Sequence, residues 1–176
     1  MNGADGEAST PAPTPVLLGL GANVGDPVVQ LARAVEMLRA SVTVEAVSSV
    51  WVTEPVGHRE QADFHNLVVR GTTRLAPLAL LDAAQAVEAA LGRVRTFRDG
   101  PRTMDVDLLA CGALVIRHPR LEVPHPRMAE RAFVLRPLAE VAPEWRHPRL
   151  GMTARELLNA TGDLERAERW GALPTP

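Results

Sequence analysis

Residues 100–109 read Gly-Pro-Arg-Thr-Met-Asp-Val-Asp-Leu-Leu, and this stretch gives the strongest evidence for the fold. Residues 103–109 alternate apolar and polar side chains, a pattern that predicts a β-strand. Successive side chains of a strand point to opposite faces, so the apolar residues share one face while Asp105 and Asp107 share the other. We therefore expect a strand with one face against a core and two carboxylates together on the opposite face.

Upstream of this strand, apolar periodicity predicts five further elements. They are a strand at 16–20, a helix at 27–40, strands at 42–52 and 64–73, and a helix from Pro77 through Leu91 that is capped by Gly92. The order with strand 103–109 is therefore β-α-β-β-α-β. This order predicts an α+β fold, a ferredoxin-like sandwich in which the helices pack on an antiparallel sheet.

The two ends of the chain have different patterns. Residues 1–15 are rich in Ala, Gly, Pro, Ser and Thr and predict a flexible tail, which leaves residues 16–176 as a single domain. After the fourth strand, Gly112 predicts a turn from which residues 113–116 pair back as a hairpin. Short helices are expected at 127–131, 133–140 and 153–159.

Composition excludes several classes of function. The 176 residues are 46% hydrophobic and 23% charged, as in globular proteins, and the absence of a long apolar run or a secretory signal predicts a cytoplasmic protein without a membrane partner. All 19 basic residues are Arg, which excludes a Walker A lysine, a kinase strand lysine and a Schiff base. The net charge of −2 argues against nucleic acid as a partner.

Four arginines precede the two carboxylates. They are Arg93, Arg95, Arg98 and Arg102, in a segment interrupted by glycines. Carboxylates two residues apart on a strand suit Mg²⁺, which prefers oxygen ligands and bridges protein carboxylates to phosphates. Mg²⁺ and Arg together fit a polyphosphate substrate. The alternative, which the spacing alone leaves open, is a polar strand face that makes surface ion pairs.

Other candidate residues flank this segment. His125 lies between two prolines on a stiff extended segment, where it is either a ligand-binding or a hydrogen-bonded structural residue. Phe64 and Phe133 are either core residues or the two sides of a clamp for a planar heterocycle, with Asn66 offering donor and acceptor to its edge. The glycines of residues 19–25 miss the dinucleotide-binding spacing by one residue.

Taken in order, these segments resemble the 6-hydroxymethyl-7,8-dihydropterin pyrophosphokinase family of folate biosynthesis. The resemblance covers about residues 16–145. The matching blocks are residues 20–23, 53–57, 64–66, 93–95, 100–107, 124–126 and 131–133. A departure lies at Asp99, where the family commonly has an aromatic residue that helps to close over the pterin.

The resemblance implies transfer of pyrophosphate from ATP to the hydroxymethyl group of the pterin, with release of AMP, by a monomeric enzyme. Asp105 and Asp107 would hold two Mg²⁺, and Arg93 and Arg102, supported by Arg95, would stabilise the transferring group. The implied nucleotide contacts are Gln85, Glu88, Leu108, Arg120, His125 and Arg131. The implied pterin contacts are Phe64, Phe133, Asn66 and the backbone near Thr53 and Val56.

Two alternatives remain open at this point. A ferredoxin-like binding module, such as an RNA-recognition or small-molecule regulatory domain, would share the order of elements. An RNA-binding sheet would show exposed aromatic residues and a basic surface, whereas this chain has 3% aromatic residues and a net charge of −2. A related protein that binds the pterin without catalysis would be distinguished only by an assay of AMP release.

Overall fold

The structure is a computed structural model that describes residues 12–55, 60–93, 102–161 and 167–174. Eight strands are present in these ranges: β1 (Thr14–Ala22), β2 (Thr43–Val47), β3 (Val50–Thr53), β4 (Phe64–Thr73), β5 (Asp105–Cys111), β6 (Ile116–His118), β7 (Leu121–Val123) and β8 (Ala167–Gly171). The helices are α1 (Pro27–Leu38), α2 (Pro77–Ala90), α3 (Ala132–Val141) and α4 (Ala154–Thr161), with a 3-10 turn at Met128–Glu130. Within these ranges, every helix is too short or too polar to cross a bilayer.

Six of the strands form one antiparallel sheet. Its order is β5-β1-β4-β3-β8, and β2 pairs with β4 beyond the end of β3. In the central pairs Gly21 lies opposite Asn66 on β4 and opposite Asp105 on β5. The chain therefore forms an α+β protein whose three longest strands, β4, β1 and β5, lie side by side.

Helices cover both faces of this sheet. The helices α1 and α2 pack on the face that carries Val16, Leu18 and Leu20 of β1, whereas α3 and α4 pack on the face that carries Leu17 and its neighbours on β4 and β5. Each face has its own buried apolar cluster because the side chains of β1 alternate. The two cores together hold the central strands rigidly between two layers of helices.

The first two helices begin where the sequence predicts, and α1 ends at Leu38, two residues before its predicted end. Asp26 caps α1, since its carboxylate accepts the Val29 N–H at 3.1 Å, and Pro27 occupies the first turn. In α2 the first residue is Pro77, and Gly92 follows the helix with a φ of +77° that favours glycine. The predictions of both helices, and of the short helices that became α3 and α4, are confirmed.

The predicted strand at 42–52 is wrong as a single element, because it breaks at Ser48 and Ser49 into β2 and β3. The Ser48 hydroxyl accepts the Val68 N–H at 2.9 Å, a position that a backbone carbonyl would otherwise fill. The next backbone N–H, that of Ser49, donates to the Glu140 carboxylate at 2.8 Å. Side chains thus replace ladder hydrogen bonds at the break.

The predicted hairpin of residues 113–116 on β5 is also wrong. The outer edge of β5 is already occupied: the Val106 N–H donates to the Glu88 carboxylate at 2.8 Å, and the Leu109 carbonyl accepts the His125 N–H at 2.9 Å. The chain instead turns at Gly112 and forms a separate hairpin of β6 and β7. An edge that is satisfied by a side chain and a loop leaves no ladder for a further strand.

Smaller differences concern the ends of the chain. The strand β1 begins at Thr14, two residues before its expected start, and pairs there with Thr73, while residues 1–11 of the expected tail lie outside the described residues. The fourth predicted strand begins at Asp105 and continues to Cys111. The sequence did not predict β8, whose Ala-Glu-Arg-Trp-Gly sequence lacks apolar alternation and pairs with β3 at the sheet edge.

Candidate active site

A cleft lies on the face of the sheet that α3 covers, over β4, β1 and β5. It is lined by ten of the residues that the sequence singles out, namely Thr53, Phe64, Asn66, Arg93, Arg102, Asp105, Asp107, His125, Arg131 and Phe133. They come from three strands, one helix and three connecting segments. The strand order brings them together because β4 and β5, the strands that bear Asn66 and Asp105, both pair with β1.

Two glycines of β1 form the floor of the cleft. A Cβ on Gly21 would lie 2.8 Å from the Asn66 Oδ1 atom, closer than Cβ atoms approach oxygen in real proteins. A Cβ on Gly19 would lie 3.3 Å from the Leu109 side chain, a tight but adjustable contact. The sequence pattern predicts a strand that ends in a turn at Gly21, whereas the strand continues through Ala22, and the lack of a side chain at Gly21 makes room for Asn66.

The β5 side of the cleft is ionic. The Arg93 guanidinium contacts Asp105 Oδ1 at 2.6 Å and also pairs with Glu88, while Arg102 pairs with Asp105 Oδ2. Glu88 is 5% exposed, and burial raises the pKa of its carboxyl. Two guanidiniums therefore share two acidic groups, in an arrangement that holds both arginines over the end of β5.

Asp107 lies on the same face of β5 as Asp105, as the alternation predicts, and both line the cleft. Burial, followed by the charge of Asp105, raises the pKa of Asp107 to about 7. The negative charge of such a carboxylate is stabilised when a cation binds, because the cation replaces the hydration that burial removes. Within the described residues no group of three His, Cys, Asp or Glu side chains could bind a metal ion. The pair still fits Mg²⁺, which commonly takes one or two carboxylates and completes its shell with water and phosphate oxygens.

His125 is fixed beside β5 by its backbone. Its Nδ1 atom accepts the Arg127 N–H at 3.3 Å, so this nitrogen carries no proton. Burial, and then the charges of Arg131 and Arg127, lower the pKa of His125 to about 4. At neutral pH the imidazole is therefore uncharged and can form hydrogen bonds to a ligand without adding a positive charge.

The opposite side of the cleft carries two aromatic rings and a neutral amide. Phe64 lies at the start of β4, and Phe133 lies in the first turn of α3 with the Arg131 guanidinium 5.3 Å from its ring centre. The Asn66 Nδ2 donates to Thr53 Oγ1 at 2.8 Å, and both residues are buried. This hydrogen bond fixes which end of the amide faces Gly21. The two sides meet where Arg102 lies 5.5 Å from the centre of the Phe64 ring.

Three residues predicted to contact the nucleotide lie elsewhere as the structure describes them. The Leu108 side chain is buried in the core under α1 and α2, on the face opposite to the two carboxylates. Gln85 is exposed on α2, and Arg120 is exposed and pairs with Asp82. The predicted residues Val56 and Arg95, together with Asp99, lie outside the described residues.

Sequence reasoning missed Asn23, which links two segments beside the cleft. Its Nδ2 donates to Gln61 Oε1 and to the Ala62 carbonyl, both at 3.0 Å. Its Oδ1 accepts the Arg102 N–H at 2.9 Å, and its own N–H donates to the Arg102 carbonyl at 3.1 Å. The sequence feature that could have indicated this role is an asparagine directly after a strand, since its amide can form hydrogen bonds to several loops at once.

Comparison with known proteins agrees with this geometry. Residues 17–143 match the model of the 7,8-dihydro-6-hydroxymethylpterin-pyrophosphokinase family. Two curated relatives carry the name 2-amino-4-hydroxy-6-hydroxymethyldihydropteridine pyrophosphokinase. The Bacillus subtilis protein is 43% identical over 155 residues, which cover 87% of this chain and 88% of that protein. The Methylorubrum extorquens protein is 47% identical over 133 residues, which cover 74% and 84%.

A solved structure extends the comparison to the fold. The A437G variant of Plasmodium falciparum HPPK-DHPS superposes with a TM-score of 0.72 at 16% identity and covers 87% of this chain. This chain spans 46% of that longer chain, so the likeness concerns the fold of one part of it. On the family match and the identities to the curated relatives, the chain belongs to the 7,8-dihydro-6-hydroxymethylpterin-pyrophosphokinase family.

Proposed function

We propose that the protein transfers pyrophosphate from ATP to 6-hydroxymethyl-7,8-dihydropterin in folate biosynthesis. The observation that carries the proposal is a single cleft with an Arg-carboxylate side and an aromatic-amide side. The first suits a triphosphate with its cations, and the second suits a flat ring with a polar edge. The names of the relatives support the same reaction.

In this reaction the hydroxymethyl oxygen bonds to the β-phosphorus of ATP. The bond from that phosphorus to the oxygen bridging the α- and β-phosphates breaks, AMP leaves, and the hydroxyl proton passes to solvent. Phosphoryl transfer requires alignment and charge stabilisation more than covalent chemistry from the protein. The side chains of the cleft therefore need only orient the two substrates and neutralise charge.

Asp105 and Asp107 are the residues proposed to hold two Mg²⁺. When bound, Mg²⁺ would neutralise the triphosphate and favour ionisation of the hydroxyl group. The desolvation of Asp107 supports this assignment, since it leaves a partly buried carboxylate whose negative charge is poorly stabilised without a cation.

The arginines are proposed to stabilise the transferring group. Arg93 and Arg102 already lie in the cleft on Asp105, from which each can turn to a phosphate oxygen and exchange one anionic partner for another. Arg95 would support them. Glu88 would act indirectly, since its ion pair with Arg93 keeps that guanidinium in the cleft.

On the nucleotide side we assign Arg131 and neutral His125 to contacts inside the cleft. Gln85 and Arg120 are proposed for the outer part of the nucleotide. For Leu108 the proposal is limited to its backbone, because its side chain lies in the core.

On the pterin side, Phe64 and Phe133 would stack on the two faces of the ring. Asn66 would read the polar edge, and the backbone near Thr53 and Val56 would complete that recognition. The Thr53–Asn66 hydrogen bond supports this role because it fixes the direction of the amide before the pterin arrives.

The strand order supports a finer description of the fold. Taken as β5-β1-β4 followed by β2 and β3 on one edge, with α1 and α2 on one face, it corresponds to the ferredoxin-like sandwich with additional elements. As the sequence resemblance implies, we also propose a monomeric enzyme, which light scattering would test.

The reaction is tested by incubation of the protein with ATP, MgCl₂ and the hydroxymethyl pterin. We expect AMP and the pterin diphosphate in equal amounts, and neither product when the pterin or MgCl₂ is omitted. Formation of ADP with a pterin monophosphate would contradict pyrophosphoryl transfer, and binding of the pterin without AMP release would identify a non-catalytic relative.

A further inference from the structure

Glu140, at the far end of α3 from Phe133, makes a set of contacts that the proposed reaction does not use. Its Oε1 accepts the Trp51 indole Nε1–H at 2.8 Å, and its Oε2 accepts the Ser49 N–H at 2.8 Å. Ser49 lies at the break between β2 and β3, where its N–H donates to this side chain. The carboxylate thus joins α3 to β3 by two charge-assisted hydrogen bonds.

A second residue of α3 holds the same indole. The Arg136 guanidinium carbon lies 5.7 Å from the centre of the Trp51 ring, within the range of a cation-π contact. Phe133, Arg136 and Glu140 follow one another at spacings of three and four, so they share one face of the helix. The same helical face therefore carries a pterin-binding aromatic residue at one end and the contacts to β3 at the other.

Trp51 is in turn the neighbour of the pterin-recognition pair. It lies directly opposite Asn66 in the pairing of β3 with β4, and Thr53 lies opposite Phe64. Trp51 and Thr53 share a face of β3 because they are two residues apart. Movement of the indole would therefore shift the surroundings of both Asn66 and Thr53.

The dimensions of the two elements make this attachment effective over a distance. From Phe133 to Glu140 the helix rises about 10.5 Å. From Ser49 to Thr53 a strand spans about 13 Å. Both elements run from the Glu140 contacts to the cleft, which Phe133 and Thr53 line, so this attachment affects the position of Phe133 relative to Thr53.

We propose that Glu140 is a positioning residue for pterin binding, acting through Trp51 to hold α3 in register with β3. It does not touch the substrate. Its loss would let the aromatic and the amide sides of the pterin site move relative to each other, while the ionic half on β5 keeps its geometry. The inference rests on the proposed function, since it assigns the pterin to the half of the cleft with Phe64, Asn66 and Phe133, here called the ring half.

The test compares Glu140→Gln with Glu144→Gln. Both substitutions remove one negative charge and one ion pair with an exposed arginine, Arg169 for Glu140 and Arg155 for Glu144, and Glu144 is itself 72% exposed. The amide that replaces the Glu140 carboxylate can accept only one of the two hydrogen bonds, through its single oxygen. The measured quantities are the dissociation constants of the pterin and of a non-hydrolysable ATP analogue with MgCl₂, each by titration calorimetry.

We expect Glu140→Gln to weaken pterin binding about tenfold and to leave binding of the ATP analogue within about twofold of wild type. Glu144→Gln should change neither. Trp51→Phe keeps an aromatic ring but removes the indole N–H, and it should reproduce the selective loss. In the double variant the two losses should be less than additive, since both act through one hydrogen bond.

Equal weakening of both ligands, or unchanged pterin binding in Glu140→Gln and Trp51→Phe, would overturn the positioning role. If Glu140→Gln does not fold, Trp51→Phe alone decides by the same comparison. Wild-type protein that binds no pterin would overturn the proposed function and this inference together, whereas normal wild-type activity with unaltered variants would overturn the inference alone.

Discussion

The ionic half of the cleft, on β5, and its ring half, on β3, β4 and α3, differ in how their side chains are held in place. On β5, Asp105 is paired with two guanidiniums that a ligand can replace, and Asp107 is a partly buried carboxylate with a raised pKa. On β3, β4 and α3, neutral hydrogen bonds and packing fix Asn66 and Phe133 before any ligand arrives. We therefore expect the ionic half to reorganise when a ligand binds and the ring half to be preorganised.

This difference predicts which substitutions reduce turnover and which weaken substrate binding. Changes on β5 should reduce turnover, since they remove interactions that strengthen as charge moves in the transition state. Changes in the ring half should weaken binding of one substrate, since its contacts are alike in the ground and transition states.

The largest effect is expected from the two carboxylates. Asp107→Asn and Asp105→Asn should each lower kcat by about a thousandfold, corresponding to about 4 kcal/mol of transition-state stabilisation. Initial rates of AMP release at saturating MgCl₂, with circular dichroism as a control for folding, measure this. Turnover within tenfold of wild type in either variant would remove the ionic half from the mechanism.

The raised pKa of Asp107 predicts a pH dependence of the same half. Below pH 7 the carboxyl group is protonated in the free enzyme and must lose this proton to bind a cation. We expect kcat/KM for MgATP to rise about tenfold per pH unit up to about 7 and then to level off. A profile that is flat between pH 5.5 and 8 would contradict the role of Asp107.

The same group affects stability with the opposite sign to an ordinary carboxylate. Its pKa lies above the ordinary value of 3.8, so the folded state favours the neutral form, and this contribution is lost as pH rises from about 4 through 7. Asp107→Asn should therefore raise the Tm of the ligand-free protein at pH 8, by about 3 °C for each kcal/mol relieved. At pH 4 the variant and wild type should melt together, and a lower Tm at pH 8 would contradict the account.

A smaller effect comes from the floor of the cleft, where two glycines offer a matched pair. Gly21→Ala places a methyl group against Asn66 and should weaken pterin binding by about 1.5 kcal/mol, because the amide must give up its place. Gly19→Ala meets only the adjustable Leu109 side chain and should change pterin binding by less than about 0.5 kcal/mol. Equal losses from the two substitutions would mean that Asn66 does not read the pterin.

The smallest effect is expected at Asp99, where the sequence resemblance implies an aromatic residue. An aromatic side chain would add stacking on the bound pterin, so Asp99→Trp should tighten binding in the presence of a non-hydrolysable ATP analogue by about 1 kcal/mol. Unchanged or weaker binding by the variant would contradict this expectation.

Local sequence patterns predicted most of the helices and strands. Contacts between residues far apart in the sequence explain the elements that those patterns did not predict. Alternation placed Asp105 and Asp107 on one face, and the order of elements brought β4 and β5 to either side of β1. The break at Ser48 and Ser49 depends on Glu140, about 90 residues away, and the edge of β5 is closed by Glu88 from α2. Neither contact leaves a periodic signal.

The site shows the same division. Residue types suggested the clamp of Phe64 and Phe133, which requires only that both reach one cleft. Asn23 was missed because its role depends on three loop partners that the topology alone brings together. For Leu108, alternation with Asp107 already places its side chain on the opposite face, as the structure shows.

The division of the cleft is tested most directly by the ratio of two dissociation constants in Phe133→Ala. The pterin and a non-hydrolysable ATP analogue with MgCl₂ are titrated separately into wild type and variant. We expect pterin binding to weaken about tenfold or more while binding of the analogue stays within about twofold. Equal weakening of both ligands would show that Phe133 only supports the core and that the two halves do not act separately.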